Sequence, residues 1–310
     1  MTAARQADEW MHMMRRGDWE AAWRISDRIA RERHGLEPRD PLTGQWLPRH
    51  LQWVWNRTPL HGRRVRVHCY HGMGDTIQFI RFVPALRRCA SHITVLGQPQ
   101  LLPLLETVDG IDALLDLDDG PNRSQHEVDI EVMELPYALR ATLLTLPTAI
   151  PYIHVTARTS QANGKPHRPR VGLVWQSGSW DVSRSVAPEL MRELLRMPAI
   201  DFRILQRGPA LASWPGGGEI PAIRGILEEA AELRALDLLV SVDTLSAHLA
   251  GALGVPTWTL LPAWADWRWM EGREDTPWYP TMRLFRQARP GDWEPLIARV
   301  RRELRWRFGS

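Results

Sequence analysis

The sequence is poor in cysteine and has no long apolar run. It holds two cysteines in 310 residues, Cys69 and Cys89, which do not form a Cys-x-x-Cys pair. So few cysteines are typical of a reduced, cytoplasmic chain, and no spacing of histidine and cysteine predicts a zinc site. No apolar run approaches the roughly 18 residues of a membrane-spanning helix, and Asp8 and Glu9 interrupt the segment where a secretion signal would begin. We therefore expect a cytoplasmic protein without a transmembrane segment or a structural metal.

Lysine is nearly absent, because Lys165 is the single lysine among 39 basic residues. Arginine binds phosphate and carboxylate in a bidentate manner, although codon bias produces the same skew. The 36 acidic residues are interspersed with the arginines, so the net charge of +3 does not indicate a nucleic-acid partner. The most basic stretch, 299–307, is interpreted as a solvated helix face, with peripheral contact to a membrane surface as the alternative.

The apolar pattern changes its period along the chain. Residues 7–34 carry two apolar stripes at helical spacing, broken at Gly17, which resemble one unit of a helical repeat. From residue 63 short apolar strands alternate with helices, and one polar stretch interrupts the alternation. We therefore predict an α/β protein with two Rossmann-like lobes facing a cleft. The predicted parts are a TPR-like helical segment at 1–50, an N-terminal lobe at 51–157, a linker at 158–169, a C-terminal lobe at 170–290 and a helix at 291–310, for which packing on the N-terminal lobe is one option.

The first turn of chemical interest follows the strand near residue 67. Gly72 and Gly74 let the backbone approach a ligand, and Asp75 comes next, at the start of a predicted helix. Spacing alone leaves two interpretations of Asp75, a catalytic carboxylate or a cap of the helix. The turn lacks the third glycine of a dinucleotide-binding fingerprint, which disfavours an NAD enzyme.

The second turn follows a buried strand that ends at Asp243 and Thr244. A helix that starts there offers unpaired N–H groups and the positive end of its dipole, which favour an anion. Thr244, Ser246 and His248 add side-chain donors, although a histidine on such an apolar helix is more often a core residue.

Together the two turns resemble those of glycosyltransferase family 9, over roughly residues 55–300. The matching stretches are 72–86 (GMGDTIQFIRFVPAL), 240–256 (VSVDTLSAHLAGALGVP), 172–175 (GLVW), 184–186 (RSV), 204–208 (ILQRG) and 266–269 (DWRW). That family includes the ADP-heptose heptosyltransferases of lipopolysaccharide. Its repeat-bearing bacterial members, which are also similar to O-linked N-acetylglucosamine transferases, are the nearer match. The resemblance implies the GT-B fold, with the donor nucleotide on the C-terminal lobe and the acceptor on the N-terminal lobe.

The resemblance also implies an inverting, metal-independent transfer from an ADP- or UDP-linked sugar to an acceptor hydroxyl, with Asp75 as general base. No cofactor is expected, and the acceptor is a glycan, a protein or a small metabolite. The implied donor-binding residues are Gln176, Ser177, Arg184, Gln206, Asp243, Thr244, Leu245, Ser246 and His248. The implied acceptor-side residues are His71, Gly72, Met73, Gly74, Gln78 and Trp267.

Two departures from the family's pattern bear on these roles. Leu245 stands where the heptosyltransferases usually have glycine, and the helical repeat array is reduced to about one unit. The first departure weakens the assignment of the donor, and the second weakens the assignment of a protein as acceptor. The alternative function is therefore a GT-B-like protein that binds a nucleotide or glycan without catalysis; a sugar epimerase has little support from the motifs.

Two further features have competing explanations. The aromatic run from Trp264 to Tyr279 either stacks on sugars and bases or packs a long loop. Asp116 and Asp118 match an Asp-x-Asp metal motif, but acidic residues before Gly120 more commonly make a turn.

Overall fold

The structure is a computed structural model that describes residues 3–33, 35–40, 43–118, 125–155, 168–178 and 181–309. The chain divides into two compact units, Met1–Ile153 and His154–Ser310. Most of the predicted linker, residues 158–167, lies outside the described residues. Within the described part, no helix combines the length and the apolar character needed to cross a membrane. Both cysteines are free thiols.

The first unit is a four-stranded parallel sheet with helices, preceded by two longer helices. Its elements are α1 (Ala3–Arg16), α2 (Trp19–Glu32), β1 (Arg64–His68), α3 (Met73–Phe79), α4 (Val83–Arg87), β2 (His92–Gly97), α5 (Leu102–Leu105), β3 (Ala113–Asp116), β4 (Val128–Glu131) and α6 (Leu135–Ala138). The strand order is β3-β2-β1-β4. The central strands pair in register, with Val65 opposite Ile93 and Val67 opposite Val95, and all four side chains are buried.

The second unit is a five-stranded parallel sheet of order β6-β5-β7-β8-β9. Its elements are β5 (Arg170–Val174), α7 (Pro188–Arg192), β6 (Asp201–Ile204), α8 (Ile226–Arg234), β7 (Leu238–Val242), α9 (Leu245–Leu253), β8 (Thr257–Leu261), β9 (Met282–Arg286) and α10 (Trp293–Phe308). The two parallel sheets confirm the predicted α/β class. Strand β9 was not predicted, because Arg283 and Arg286 break the apolar pattern of a buried strand; both are bonded to other segments of this unit.

Helix α10 has its apolar side in the second unit. Leu296, Ile297, Val300 and Leu304 are buried and belong to one core cluster with the strands β5 to β8. The sequence left open that this helix packs on the N-terminal lobe. The spacing of apolar residues in a helix carries no information about which core receives it.

The two predicted N-terminal helices are present and pack on each other, and α2 is tied to the sheet-bearing part of the first unit. Trp23 is 5% exposed, and its indole Nε1 donates to the carbonyl oxygen of Ala141 at 2.6 Å. Asp27 accepts hydrogen bonds from both guanidinium nitrogens of Arg140, at 2.6 and 3.0 Å, and from the hydroxyl of Tyr137 at 2.7 Å. These bonds hold the pKa of Asp27 below its usual range, with the bonds from Arg140 as the main cause. The helices are thus part of the first unit.

A half-buried carboxylate fixes the segment that leads from these helices into β1. Glu134 accepts backbone N–H groups of Val54 (3.1 Å), Trp55 (2.9 Å) and Glu131 (2.9 Å). Burial raises the pKa of Glu134 to about 7, against the N–H groups that favour its charged form. The segment is therefore held by a group that titrates near neutral pH.

Replacing Trp23 with alanine should detach α2. Loss of a large buried side chain typically costs about 3–5 kcal/mol, and the carbonyl of Ala141 would lose its donor as well. Chemical denaturation should show this loss for Trp23→Ala and no change for the control Trp306→Ala, whose side chain is 85% exposed. Equal stability of the two variants would contradict the docking role.

The stability of the first unit should depend on the titration of Glu134. Its pKa in the folded chain, about 7, lies above the ordinary value of 4.5. The stability it contributes is therefore fully present below about pH 4.5 and is lost as the pH rises through about 7. Between these limits the unfolding free energy of the wild type should fall, relative to that of Glu134→Gln, by on the order of 1–3 kcal/mol. Parallel pH profiles for the two proteins would show that Glu134 does not titrate in this window.

Candidate functional site

Each of the two turns singled out by the sequence lies at the switch point of its sheet. In open parallel sheets, ligands bind beyond the carboxyl ends of the strands, where successive connections leave in opposite directions. In the first unit this point is between β1 and β4, and in the second it is between β5 and β7. The turn 69–75 follows β1, and Asp243 with Thr244 follows β7.

Asp75 lies in the first turn of α3 and is half-buried. Its Oδ2 accepts the backbone N–H of Gly72 at 3.1 Å, so the carboxylate caps the helix. The positive end of the helix dipole favours the ionised form of a carboxylate at this position. A capping contact made by one carboxylate oxygen is compatible with both interpretations of Asp75.

Side chains from neighbouring strands brace the turn before Asp75. The amide of Gln98, just after β2, donates to the carbonyl of His71 at 2.9 Å and accepts from the hydroxyl of Thr76 at 3.0 Å. Glu131, at the end of β4, is 1% exposed, and its Oε1 lies 3.1 Å from Nδ1 of His71. Sequence analysis missed Gln98 and Glu131, because the signal that selects them is the position of β2 and β4 on either side of β1.

The predicted acceptor-side residues are divided between the two units. His71, Gly72, Met73 and Gly74 share the turn with Asp75, and each is exposed or half-buried. Gln78 is completely buried inside the first unit. Trp267 belongs to the second unit, where it is 8% exposed and packs edge-on against Trp278 with 6.1 Å between ring centroids. The family resemblance implies a role for both residues, and the structure buries both side chains.

The first turn of α9 uses its hydroxyl groups within the protein. Thr244 is the N-cap residue; its Oγ1 accepts the N–H of Ala247 at 3.4 Å and lies 3.0 Å from the hydroxyl of Ser241. Ser246 donates to Oε1 of Glu229 at 2.6 Å. Leu245, between them, is half-buried. What this turn can offer an anion is therefore its backbone N–H groups, which have no partners inside a helix.

A buried carboxylate with three basic neighbours precedes that turn. Asp243 is 4% exposed; its Oδ1 lies 3.3 Å from Nε2 of His248, and its Oδ2 lies 3.3 Å from Nη1 of Arg184. Burial by itself would raise the pKa of Asp243, but the hydrogen bond and charge interaction with His248, and the charge of Arg268, outweigh it and hold this pKa well below its usual range. Asp243 is therefore a permanent anion that fixes the position of Arg184.

His248 is held by its neighbours on both ring nitrogens. Nδ1 lies 2.9 Å from the hydroxyl of Tyr279, and the ring stacks on Trp269 with 5.4 Å between centroids. Gly251 makes this arrangement possible, because a Cβ there would lie 2.4 Å from the ring of Tyr279. The structure thus gives His248 the role of a satisfied core histidine that orients Asp243.

The loop after β5 is locked by a residue after β6. Oε1 of Gln206 accepts the N–H groups of Trp175 and Gln176, at 3.1 and 2.9 Å, and its amide donates to the carbonyl of Arg207. Ser177 is buried and donates to backbone carbonyls of the same loop, whereas the side chain of Gln176 is exposed. Gln206 therefore fixes the backbone at the start of this loop through two hydrogen bonds.

The structure describes the other two features, the Asp-x-Asp motif only in part. Oδ1 of Asp116 accepts the N–H of Asp118 at 2.8 Å, as expected for a turn; Asp119 lies outside the described residues. No group of histidine, cysteine, aspartate and glutamate in the described ranges is arranged to hold a metal ion. In the aromatic run Trp264 is 75% exposed, while Trp269 and Trp278 are completely buried.

Comparison with known proteins finds one distantly related sequence. No family model matches the chain. Protein FlbA of Caulobacter vibrioides, a distant homologue, is 26% identical over 286 residues, which cover 81% of this chain and 48% of FlbA. The chain thus spans about half the length of that curated relative.

Three solved structures have a similar fold. A glycosyltransferase family 9 protein from Veillonella parvula has a TM-score of 0.51 at 15% identity, over 74% of this chain and 87% of that chain. Heptosyltransferase WaaC of E. coli, solved with ADP, has a TM-score of 0.50 at 13% identity, over 79% and 99%. The ADP-heptose lipopolysaccharide heptosyltransferase II of E. coli has a TM-score of 0.56 at 13% identity, over 78% and 98%. The chain has the GT-B-like fold of the family 9 heptosyltransferases.

Proposed function

We propose that the chain is an inverting glycosyltransferase. It transfers a sugar from a nucleoside-diphosphate sugar to the hydroxyl of a glycan, a protein or a small metabolite. The second unit binds the donor, and Asp75 of the first unit is the general base. The observation that carries the proposal is that both turns with the family's motifs follow the switch-point strands of their sheets.

The second unit supplies the groups that a diphosphate requires. Backbone N–H groups of the first turn of α9 attract an anion, and the helix dipole adds to the attraction. Arg184, whose side chain is 22% exposed, is held next to this turn by Asp243. A guanidinium already fixed in position binds phosphate with little further loss of side-chain entropy. Because WaaC was solved with ADP, we take ADP as the first nucleotide to test.

The transfer then needs one base and one stabilised leaving group. The acceptor oxygen attacks the anomeric carbon and its proton passes to Asp75. The bond between that carbon and the phosphate oxygen breaks, and its electron pair leaves with the nucleoside diphosphate. Attack opposite the leaving group inverts the anomeric centre. Positioned proton transfer contributes about 10²–10⁴ in rate, and fixed donors around the developing phosphate charge contribute at least as much.

The second candidate function is nucleotide binding without catalysis. The capping contact between Asp75 and Gly72 favours it, because a helix cap is a sufficient structural reason for this carboxylate. The two functions differ in what the loss of the Asp75 charge does to turnover.

Nucleotides should stabilise the chain selectively. A ligand of the native state at about 100 times its Kd adds about 2.7 kcal/mol of stability. We expect ADP to raise Tm more than UDP, GDP or CDP, and to the same extent with EDTA, because α9 and Arg184 neutralise the diphosphate. Arg184→Gln should reduce this shift. No response of the wild type to any of the four nucleotides would remove the basis of the donor assignment.

Asp75→Asn should abolish turnover while donor binding remains. The amide oxygen of asparagine can still accept the N–H of Gly72, so the helix cap survives. We expect ADP release from ADP-heptose to fall about 10²–10⁴-fold, with the Kd for ADP unchanged. Asp116→Asn is the matched control, because Asp116 also caps a turn by accepting a backbone N–H. Equal turnover by Asp75→Asn and wild type would favour nucleotide binding without this base.

A further inference from the structure

A second buried carboxylate lies beside the first turn of α9. Glu229, on α8, has a side chain that is 1% exposed. Its Oε1 accepts the hydroxyl of Ser246, the second residue of α9, at 2.6 Å. Its Oε2 lies 2.9 Å from Nη2 of Arg207. No motif in the sequence selects Glu229, since it is one of several acidic residues on a short helix.

These contacts link the guanidinium of Arg207, through Glu229, to the first turn of α9. Arg207 follows β6, which lies next to β5 at the edge of the sheet, and Gln206 bonds to its backbone carbonyl at 3.1 Å. A single carboxylate separates the guanidinium from Ser246 in the first turn of α9. The side chain of Arg207 is 40% exposed, and an arginine has five N–H donors, so the contact with Glu229 leaves donors for a ligand.

The arrangement resembles that of Arg184, which is also paired with a buried carboxylate next to this turn. Arg184 is held by Asp243, which is 4% exposed, and Arg207 is held by Glu229. A carboxylate buried beside an anion site would oppose the anion if it stood alone. Paired with an arginine it instead holds a cation in place, and its own charge is compensated. Two arginines, each held by a buried carboxylate that contacts the start of this helix or the residue before it, suit a ligand with two adjacent anionic groups.

We propose that Arg207 is a ligand of the donor's diphosphate and that Glu229 is the residue that positions it. This inference rests on the proposed function, because it takes the first turn of α9 as the donor site. The proposal predicts that the contribution of Arg207 to binding depends on the number of phosphate groups of the ligand. A nucleoside diphosphate gains from Arg207, a nucleoside monophosphate gains less, and a nucleoside gains nothing.

Calorimetric titration of the full chain with ADP, AMP and adenosine tests the proposal. Arg207→Gln should weaken ADP binding about tenfold to hundredfold, the range expected for loss of a charge-assisted hydrogen bond. It should leave adenosine binding unchanged, and Arg207→Lys should recover part of the affinity for ADP. Glu229→Gln should weaken ADP binding less than Arg207→Gln does. The matched control is Arg203→Gln, since Arg203 lies on β6, the strand that Arg207 follows, and is also paired with a glutamate, Glu219.

A double variant distinguishes two roles of Arg207, a ligand of the diphosphate or only a counterion of Glu229. Arg207→Gln alone leaves Glu229 buried without a compensating charge, which can prevent folding. Combined with Glu229→Gln, no such charge remains, so the chain should fold, yet ADP affinity should stay as low as in Arg207→Gln. Recovery of wild-type affinity in the double variant would overturn the proposal, because Arg207 would then only neutralise Glu229. An equal loss for adenosine and ADP would overturn it too. Failure of the wild type to bind ADP would instead refute the proposed function.

Discussion

The second unit depends on a negative charge that it buries at the end of its central strand. Asp243 cannot reach water, so its charge has to be met by groups of the protein, and His248 and Arg184 meet it. Because an unpaired buried charge is strongly destabilising, these partners cannot move independently of it. The helix that follows β7, the loop that carries Arg184 and the aromatic segment around Tyr279 are thereby fixed relative to one carboxylate.

The first unit solves a similar problem in a different way. Its carboxylates Glu131, which is buried, and Glu134, which is half-buried, accept backbone N–H groups, and Glu131 also faces His71. N–H groups compensate a carboxylate without bringing a second full charge, so these residues fix backbone segments and not cations. The turn of the first unit consequently presents a carboxylate and an imidazole, whereas Asp243 before the turn of the second unit is paired with Arg184. That difference agrees with a base on one unit and a diphosphate on the other.

Much of this architecture could be predicted from the sequence, because residues close to each other in the chain determine it. The bounds of α9 follow from Thr244 before it and Gly254 after it, and the alternation of strands and helices gives two parallel sheets. What the sequence could not give is the direction of polar side chains. Ser246 turns to a carboxylate 17 residues earlier in the chain, and Trp267 packs in a core. Such contacts depend on which helices become neighbours, and periodicity does not encode that.

Gly251 influences the positions of Asp243 and Arg184 although it lies several contacts away from that arginine. The absent side chain admits the ring of Tyr279, the hydroxyl of Tyr279 meets His248, and His248 meets Asp243. Any methyl group at position 251 would displace the ring, and the displacement would pass through three contacts to the residue that holds Arg184. A side chain at position 251 would therefore change the position of Arg184.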